Sequence, residues 1–194
     1  MKSEDIGIGI KKYNKPINCQ NIINAIEKTI SISPDVEWKP ALVSTGKEGY
    51  GINKGIRDTL IWLLKKDQYS KETQMRIDNL SRLIDNEVNE CLFDYDAIYS
   101  ASLKQRDPYE LLKYTENNHL DWHTDDGSSN HARISILFYL NDDYEGGEIE
   151  FKNFNLLYKP VKGDIIIFPS SYIYRHRVRK VTNGIRYVIA NFVA

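Results

Sequence analysis

The period of the hydrophobic pattern changes once along this chain, near Asp94, and that change limits what the chain can fold into. Before it, apolar residues recur every three to four positions. Ile22, Ile23, Ile26 and Ile30 share one helical face, and Pro34 stops the segment. Asn53 predicts the cap of a second helix carrying Ile56, Leu60, Ile61, Leu63 and Leu64. Ser70 predicts the cap of a third, with Ile77, Leu80, Ile84, Val88 and Cys91 in one stripe down to about Phe93. Between the first two, Trp38 to Val43 reads as a short strand and the glycine-rich stretch Lys47 to Gly55 as a loop.

Beyond Asp94 apolar and polar residues alternate. Strands are expected over 109–115, 119–124, 132–141, 148–151, 154–159, 164–168, 173–181 and 185–193, punctuated by Asp126-Gly127, Gly146-Gly147, Lys162-Gly163 and Asn183-Gly184. Short strands at this spacing suggest a sandwich or small barrel with the helices packed outside it. Within Ala132–Asn141, alternation places Ile134, Ile136, Phe138 and Leu140 on one face and Arg133, Ser135, Leu137 and Tyr139 on the other. The first set suits a sheet face covered by helices; the second suits the lining of a wet pocket. A chain of 194 residues fits a single domain, with 1–93 as mainly helical support and 94–194 as the β core.

Charge and cysteine usage narrow the setting. A net charge of −1 argues against a dominant phosphate-binding face, and so against a nucleic-acid partner. The strongest apolar run, Ile134 to Leu140, is far short of a membrane span. Cys19 and Cys91 read as inert thiols of a reducing compartment, and Glu4 and Asp5 stand where a signal peptide wants basic and then apolar residues. These features predict a cytoplasmic protein with no membrane segment. The basic run Arg175, Arg177, Arg179 and Lys180 has only weak aromatic interleaving from Tyr172 and Tyr174. Gly7-Ile8-Gly9 is too short for a phosphate loop.

The chemistry rests on histidines. Of His119, His123, His131 and His176, the first two open His-x-Asp triplets, with Asp121 and Asp125. In a strand, residues two apart share a face, so either triplet could offer a metal one imidazole and one carboxylate. A distant third ligand, for which His176 is the obvious choice, would complete a facial triad that leaves coordination positions of Fe(II) open. Taken alone, a His-x-Asp triplet is also what an ordinary surface strand carries.

Further residues stand in register with these: Tyr114, Trp122-His123-Thr124-Asp125, Phe138-Tyr139-Leu140-Asn141, Gly146-Gly147-Glu148-Ile149-Glu150-Phe151, Pro160 with Gly163-Asp164, Phe168-Pro169-Ser170, His176-Arg177-Val178, and Val181-Thr182-Asn183-Gly184 followed by Arg186-Tyr187. In this ordered series, from Leu112 to Phe192, the chain resembles the Fe(II)/2-oxoglutarate-dependent dioxygenases, specifically their prolyl 4-hydroxylase-like branch. The resemblance implies a double-stranded β-helix (jelly-roll, cupin-like) barrel in a mainly β, α+β chain, with the N-terminal helices packed on one sheet. It implies iron held by His123, Asp125 and His176, because the family tyrosine follows the first ligand by about sixteen residues, as Tyr139 follows His123. His119 and Asp121 are then neighbours on the same face, and Asp126 belongs to the turn with Gly127.

The same resemblance assigns Arg186 to the distal carboxylate of 2-oxoglutarate, Tyr139 as a hydroxyl donor beside it, and Tyr114 near the keto-acid end. For His176 and Arg186 to share a face of one hairpin, a three-residue loop Thr182-Asn183-Gly184 must pair Lys180 with Arg186, with Gly184 in the left-handed region. Where the family often has Ser or Thr two residues after the arginine, Val188 stands here. Implied cofactors are Fe(II), 2-oxoglutarate and O2, with ascorbate as a reductant. The implied reaction hydroxylates an unactivated C–H, foremost a prolyl residue of a peptide or protein, with release of succinate and CO2. Asp125 argues against a halogenase, in which a small residue vacates that position. Lys47–Gly55 and Lys66–Thr73 are candidates to close over substrate. Two alternatives remain at this point: a nucleic-acid-repair oxygenase of the same chemistry, disfavoured by Phe192 where a second arginine would stand, and a non-catalytic metal- or ligand-binding barrel, which has no use for a carboxylate clamp.

Overall fold

The computed structural model describes residues 2–44, 49–65, 68–101, 103, 105–126 and 132–194. Two helices and two facing sheets account for most of them. The major sheet has eight strands in the order β1 (Ser3–Gly7), β2 (Ile10–Asn14), β14 (Asp164–Pro169), β10 (Ile134–Tyr139), β17 (Arg186–Val193), β8 (Glu110–Tyr114), β7 (Leu60–Leu63) and β3 (Lys39–Pro40). The minor sheet has five, in the order β13 (Leu156–Tyr158), β12 (Ile149–Phe151), β15 (His176–Val178), β9 (His119–His123) and β6 (Arg57–Asp58). Two short pairs complete the strands: β4 (Val43–Ser44) with β5 (Tyr50–Gly51), and β11 (Glu145–Gly146) with β16 (Val181–Asn183).

Helix α1 (Cys19–Ile32) buries Cys19, Ile22, Ile26 and Thr29 at helical spacing. Helix α2 (Lys71–Tyr99) starts where the Ser70 side chain accepts the Thr73 N–H at 3.3 Å, and ends at Ser100 in the left-handed region. It runs one and a half turns past Phe93 because Tyr95 extends the buried stripe four residues beyond Cys91. Both helices pack on one face of the major sheet, against Ile134, Ile136, Phe138 and Leu140. The other face of that sheet meets the minor sheet across a second core of Leu137, Tyr139, Ile149, Phe151, Ile166 and Phe168. The two-faced reading therefore holds for Ile134, Ile136, Phe138 and Leu140 on one side and for Ser135, Leu137 and Tyr139 on the other, while Arg133 precedes the strand and is exposed. Among the described residues no helix is long and apolar enough to cross a membrane.

Three expectations need correction. No helix follows Asn53: its side chain accepts the Gly55 N–H at 3.1 Å in a turn, and Leu60–Leu63 is strand β7. Ile61 joins the inter-sheet core and Trp62 the helix-covered core, so this short apolar run is buried on both faces, where periodicity cannot separate strand from helix. Second, Ser3–Gly7 and Ile10–Asn14 form a hairpin about Gly7–Gly9 and extend the major sheet through β14. Third, 173–181 and 185–193 are not one hairpin. β15 lies in the minor sheet and β17 in the major sheet, while Val181–Asn183 pairs with Glu145–Gly146 instead. Gly184 does adopt φ +81°, but for another reason: a Cβ there would meet the Asp143 carbonyl oxygen at 2.9 Å.

Candidate functional site

His123 lies opposite His176 across the β9–β15 pair, whereas Leu120 lies opposite Val178. Three steps along β9 thus match two along β15, which is a β-bulge. The bulge turns both Leu120 and His123 into the space between the sheets. His119 and Asp121 do not share that face, contrary to strict alternation. The His119 ring lies between the Asn117 and Gly55 carbonyl oxygens, 3.3 Å from each, and exposed Asp121 accepts the Trp122 N–H. His131 and Gly127, with Lys47, Glu48, Lys66 and Asp67 of the candidate closing segments, lie outside the described residues.

His123, Asp125 and His176 converge, with their ligand atoms all within 4.8 Å of one another. Each imidazole is oriented by its own backbone: Nδ1 of His123 is 2.9 Å from the Asp121 carbonyl oxygen, and Nδ1 of His176 is 3.0 Å from that of Tyr174. A carbonyl only accepts, so Nδ1 carries the proton in each neutral ring and Nε2 presents a lone pair. Those lone pairs face Asp125, His123 Nε2 at 3.4 Å from Oδ1 and His176 Nε2 at 3.8 Å from Oδ2. Three electron-pair donors aimed at one point repel unless a cation stands there, so this donor set fits a divalent metal. Ser135 donates to Asp125 Oδ2 at 2.6 Å and lies 2.8 Å from Ser170, fixing the carboxylate from below.

Electrostatics keep the cluster ready for a metal. Burial, with His123 adding to it, pushes His176 down to about 4. Burial works against the charge on Asp125, but His176, His123 and Ser135 outweigh it and hold the carboxyl well below its usual range. The result is a neutral imidazole beside an ionised carboxylate, the protonation states that metal binding requires. Phe151 and Phe168 pack around the His176 ring at 5.4 and 5.1 Å between centroids.

At the other end of the same cavity, of about 360 Å³, stands Arg186. It opens β17 opposite Tyr114 of β8, is 1% exposed, and stacks on the Tyr114 and Tyr139 rings at 4.7 and 5.1 Å. Among the described residues no carboxylate pairs with it, and its Nε and Nη1 have no hydrogen-bond partner. The buried hydroxyl of Tyr139 also lacks a partner, while that of Tyr144 lies against the guanidinium. A charge buried without an acid is costly, so the position is built for an anion that arrives from outside, and a carboxylate matches the guanidinium fork. Tyr114 lines the open cavity; Tyr139 sits behind Arg186, fully buried.

Sequence reasoning did not single out Tyr144, nor the Arg57–Glu110 ion pair, 3.6 Å apart, which bridges the two sheets at the cavity wall. Burial raises the Glu110 carboxyl, and Arg57 pulls it back only in part. Glu110 alternates with Leu112 and Tyr114 on one strand face, a signal that could have exposed it. Arg57 was hidden by the mistaken helix. The basic run lies outside the cavity, where Arg177 and Arg179 share Glu150 at 2.8 and 2.9 Å and Arg177 stacks on Trp122.

The sequence profile of the 2OG-Fe(II) oxygenase superfamily matches residues 109–194, the segment that supplies the three convergent ligands and Arg186. Over these residues the chain is similar to that superfamily. Members of this superfamily use Fe(II), 2-oxoglutarate and O2, and the His–Asp–His cluster fits that requirement. Among relatives, the chain is 29% identical over 140 residues to a PKHD-type hydroxylase of Crocosphaera subtropica, covering 68% of this chain and 61% of that protein. It is 26% identical over 178 residues to one of Prochlorococcus marinus, covering 88% and 72%. The chain spans about three fifths of the length of the first of these relatives. In fold it is similar to a Trichoplax adhaerens prolyl hydroxylase solved in complex with a hypoxia inducible factor peptide fragment (TM-score 0.68, 18% identity, 95% of this chain and 83% of that one). It is likewise similar to a Pseudomonas putida prolyl-4-hydroxylase (TM-score 0.64, 16% identity, 95% and 92%).

Proposed function

We propose that this chain is an Fe(II)- and 2-oxoglutarate-dependent hydroxylase acting on a prolyl residue of a peptide or protein, with release of succinate and CO2. The observation that carries the reading is one cavity holding both a His–Asp–His cluster and a buried guanidinium with no acid partner. A simple metal-binding barrel has no use for the second. In this reading His123, Asp125 and His176 hold the iron, while Arg186, Tyr139 and Tyr114 hold 2-oxoglutarate. Iron with 2-oxoglutarate bound supplies the oxidising chemistry, in which decarboxylation of the cosubstrate is coupled to insertion of oxygen from O2 into a C–H bond.

The chain's own residues bind, orient and exclude water. Backbone carbonyls fix both imidazoles, Ser135 fixes the carboxylate, and Phe151 and Phe168 keep the His176 side of the cluster dry. The mouth suits a peptide: Leu42, Tyr50 and Ile56 offer apolar contact, and Arg57 with Glu110 offers a donor and an acceptor for main-chain groups. The prolyl hydroxylase neighbours in fold support the same substrate class. We read the two facing sheets as a double-stranded β-helix, and the whole chain as one domain, because strands from both halves share the major sheet.

The test is succinate formation from 2-oxoglutarate with Fe(II) and ascorbate, run with proline-containing peptides and with methylated oligonucleotides and read by mass. A gain of one oxygen on the peptide is expected. Demethylation of the oligonucleotide instead would move the substrate class, and failure of the iron-loaded protein to bind 2-oxoglutarate would overturn the reading.

A further inference from the structure

Arg57 and Glu110 meet at the cavity wall, Arg57 from β6 of the minor sheet and Glu110 from β8 of the major sheet. Register aims both inward: Arg57 lies opposite Leu120 and Glu110 opposite Ala190, and both of those neighbours line the cavity too. Arg57 Nη2 stands 3.6 Å from Glu110 Oε2, longer than an optimal hydrogen bond. The buried Nε, on the same edge of the guanidinium, has no hydrogen-bond partner. Glu110 also lies close enough to the metal-ligand cluster for the charge of Asp125 to act on it. We propose that this pair sets substrate specificity by reading the main chain of the residue that precedes the target proline, Arg57 donating to its carbonyl and Glu110 accepting its N–H. This rests on the function proposed above and narrows its substrate to an internal Xaa-Pro unit in which Xaa is not itself proline.

A pair whose sole task was to tie the sheets together would close to hydrogen-bond length and leave no donor buried without a partner, which is a cost. Its opening fits a group that brings an acceptor and a donor side by side. The pair is neutral as a unit, so a neutral amide suits it better than a carboxylate or an ammonium group, each of which would meet its like charge. In an extended residue the N–H and C=O point to the same side, which is how two residues of an antiparallel ladder exchange both hydrogen bonds. Arg57 and Glu110 thus imitate with side chains the edge of a partner strand. Proline cannot be the residue read, because it has no N–H. The residue before a proline is kept extended by the proline ring itself, so it presents both groups with little further ordering.

The proline-containing peptide hydroxylated in the test above is prepared in three forms: with alanine on each side of its proline, with N-methylalanine before the proline, and with N-methylalanine after it. For the wild-type holoenzyme, N-methylation before the proline should lower kcat/KM about tenfold, chiefly through KM, because it removes a hydrogen bond to a charged acceptor. N-methylation after the proline should change it less than twofold. In the double variant Arg57→Met with Glu110→Leu, the parent peptide should fall to the level of the first methylated peptide or below, and the difference between the two should vanish. Glu110→Gln, the milder change, should narrow that difference. Calorimetric affinity for 2-oxoglutarate in the Mn(II)-loaded variants reports that the rest of the site is intact. If wild type hydroxylates the parent and the first methylated peptide equally well, or if the penalty persists in the variants, the assignment is overturned and the proposed function stands. A wild type that binds 2-oxoglutarate but hydroxylates no proline-containing peptide overturns the proposed substrate class and this assignment with it.

Discussion

His176 and Arg186 stand ten residues apart in the chain yet line one cavity from opposite sheets, His176 from β15 of the minor sheet and Arg186 from β17 of the major sheet. The segment between them crosses from one sheet to the other, pausing at β16 to pair with β11. A hairpin would have placed both residues on one wall. Here they stand on different walls, with room between them for a ligand to touch both.

Exchanging ligand residues tests the bulge in β9. His123→Ala, Asp125→Ala and His176→Ala should each weaken Fe(II) or Mn(II) binding by more than the roughly 10–100-fold loss seen when a mere outer-shell partner is removed. His119→Ala and Asp121→Ala should leave metal affinity within about twofold of wild type, because the bulge turns both away. Equilibrium metal titration reads this directly. Loss in His119→Ala with retention in His123→Ala would place the site on the wrong triplet.

Arg186 sets function against stability. Replacing it with Met removes a buried charge that has no acid partner, so ligand-free Arg186→Met should resist urea better, by about 1–3 kcal/mol. The same variant should lose the stabilisation that wild type gains from 2-oxoglutarate, about 2.7 kcal/mol at a hundred times Kd. Arg186→Lys keeps the charge without the planar fork and should bind about one to two powers of ten more weakly than wild type. A less stable Arg186→Met would mean that the contacts of the guanidinium with its tyrosine neighbours outweigh the cost of burying its charge.

The metal-free protein should lose stability as acid rises through a defined window. His176 sits near 4 when folded and returns to its ordinary value near 6.5 when unfolded. Between those values the unfolded chain binds the extra proton, so the contribution of His176 is complete above pH 6.5 and fades as pH falls towards 4. Asp125, held low, keeps its contribution through this window and loses it only below the ordinary carboxylate range. Urea unfolding between pH 4 and 7 should show a slope that His176→Gln flattens; a slope that survives the substitution would assign it to other groups.

Both cysteines are buried, and burial pushes each thiol up to about 12. At pH 8 the thiolate fraction then falls by about a thousandfold or more against an ordinary thiol. Neither Cys19 nor Cys91 should react with a disulfide reagent in the native state, and both should react once guanidinium unfolds the chain. Fast native labelling of either would show that it is reached by solvent.

Glycine substitutions probe the turn that carries Tyr144. Gly147→Ala drives a methyl against Arg186 and Tyr144, and Gly184→Val presses on the Asp143 carbonyl at 2.9 Å and on Tyr144 Cα at 3.1 Å, each at positive φ. Both should lower stability by about 1–3 kcal/mol. Both should also weaken 2-oxoglutarate binding while metal affinity holds. Unfolding curves and paired titrations separate the two effects, and unchanged cosubstrate affinity in both variants would detach this turn from the site.

By itself the sequence determined the parts that a few neighbouring residues encode. Alternation marked Glu110–Tyr114, Ile134–Tyr139 and Asp164–Pro169 as strands, the stripe from Ile77 to Cys91 marked α2, and the ordered series of short motifs marked His123, Asp125, His176 and Arg186. Local conformation and side-chain direction follow from spacing over one strand or a few helical turns, and spacing is visible in a line of letters. Only the tertiary structure decided which sheet each strand joined. It made Leu60–Leu63 a strand by burying both its faces, placed a bulge in β9 that separates His123 from His119, and sent 176–178 and 186–193 to facing walls. It alone brought Tyr144 beside Arg186, and Arg57 beside Glu110. Those choices are made by pairings and packing between segments far apart in the chain, where the free energy of burying two faces together outweighs the preference of either segment alone.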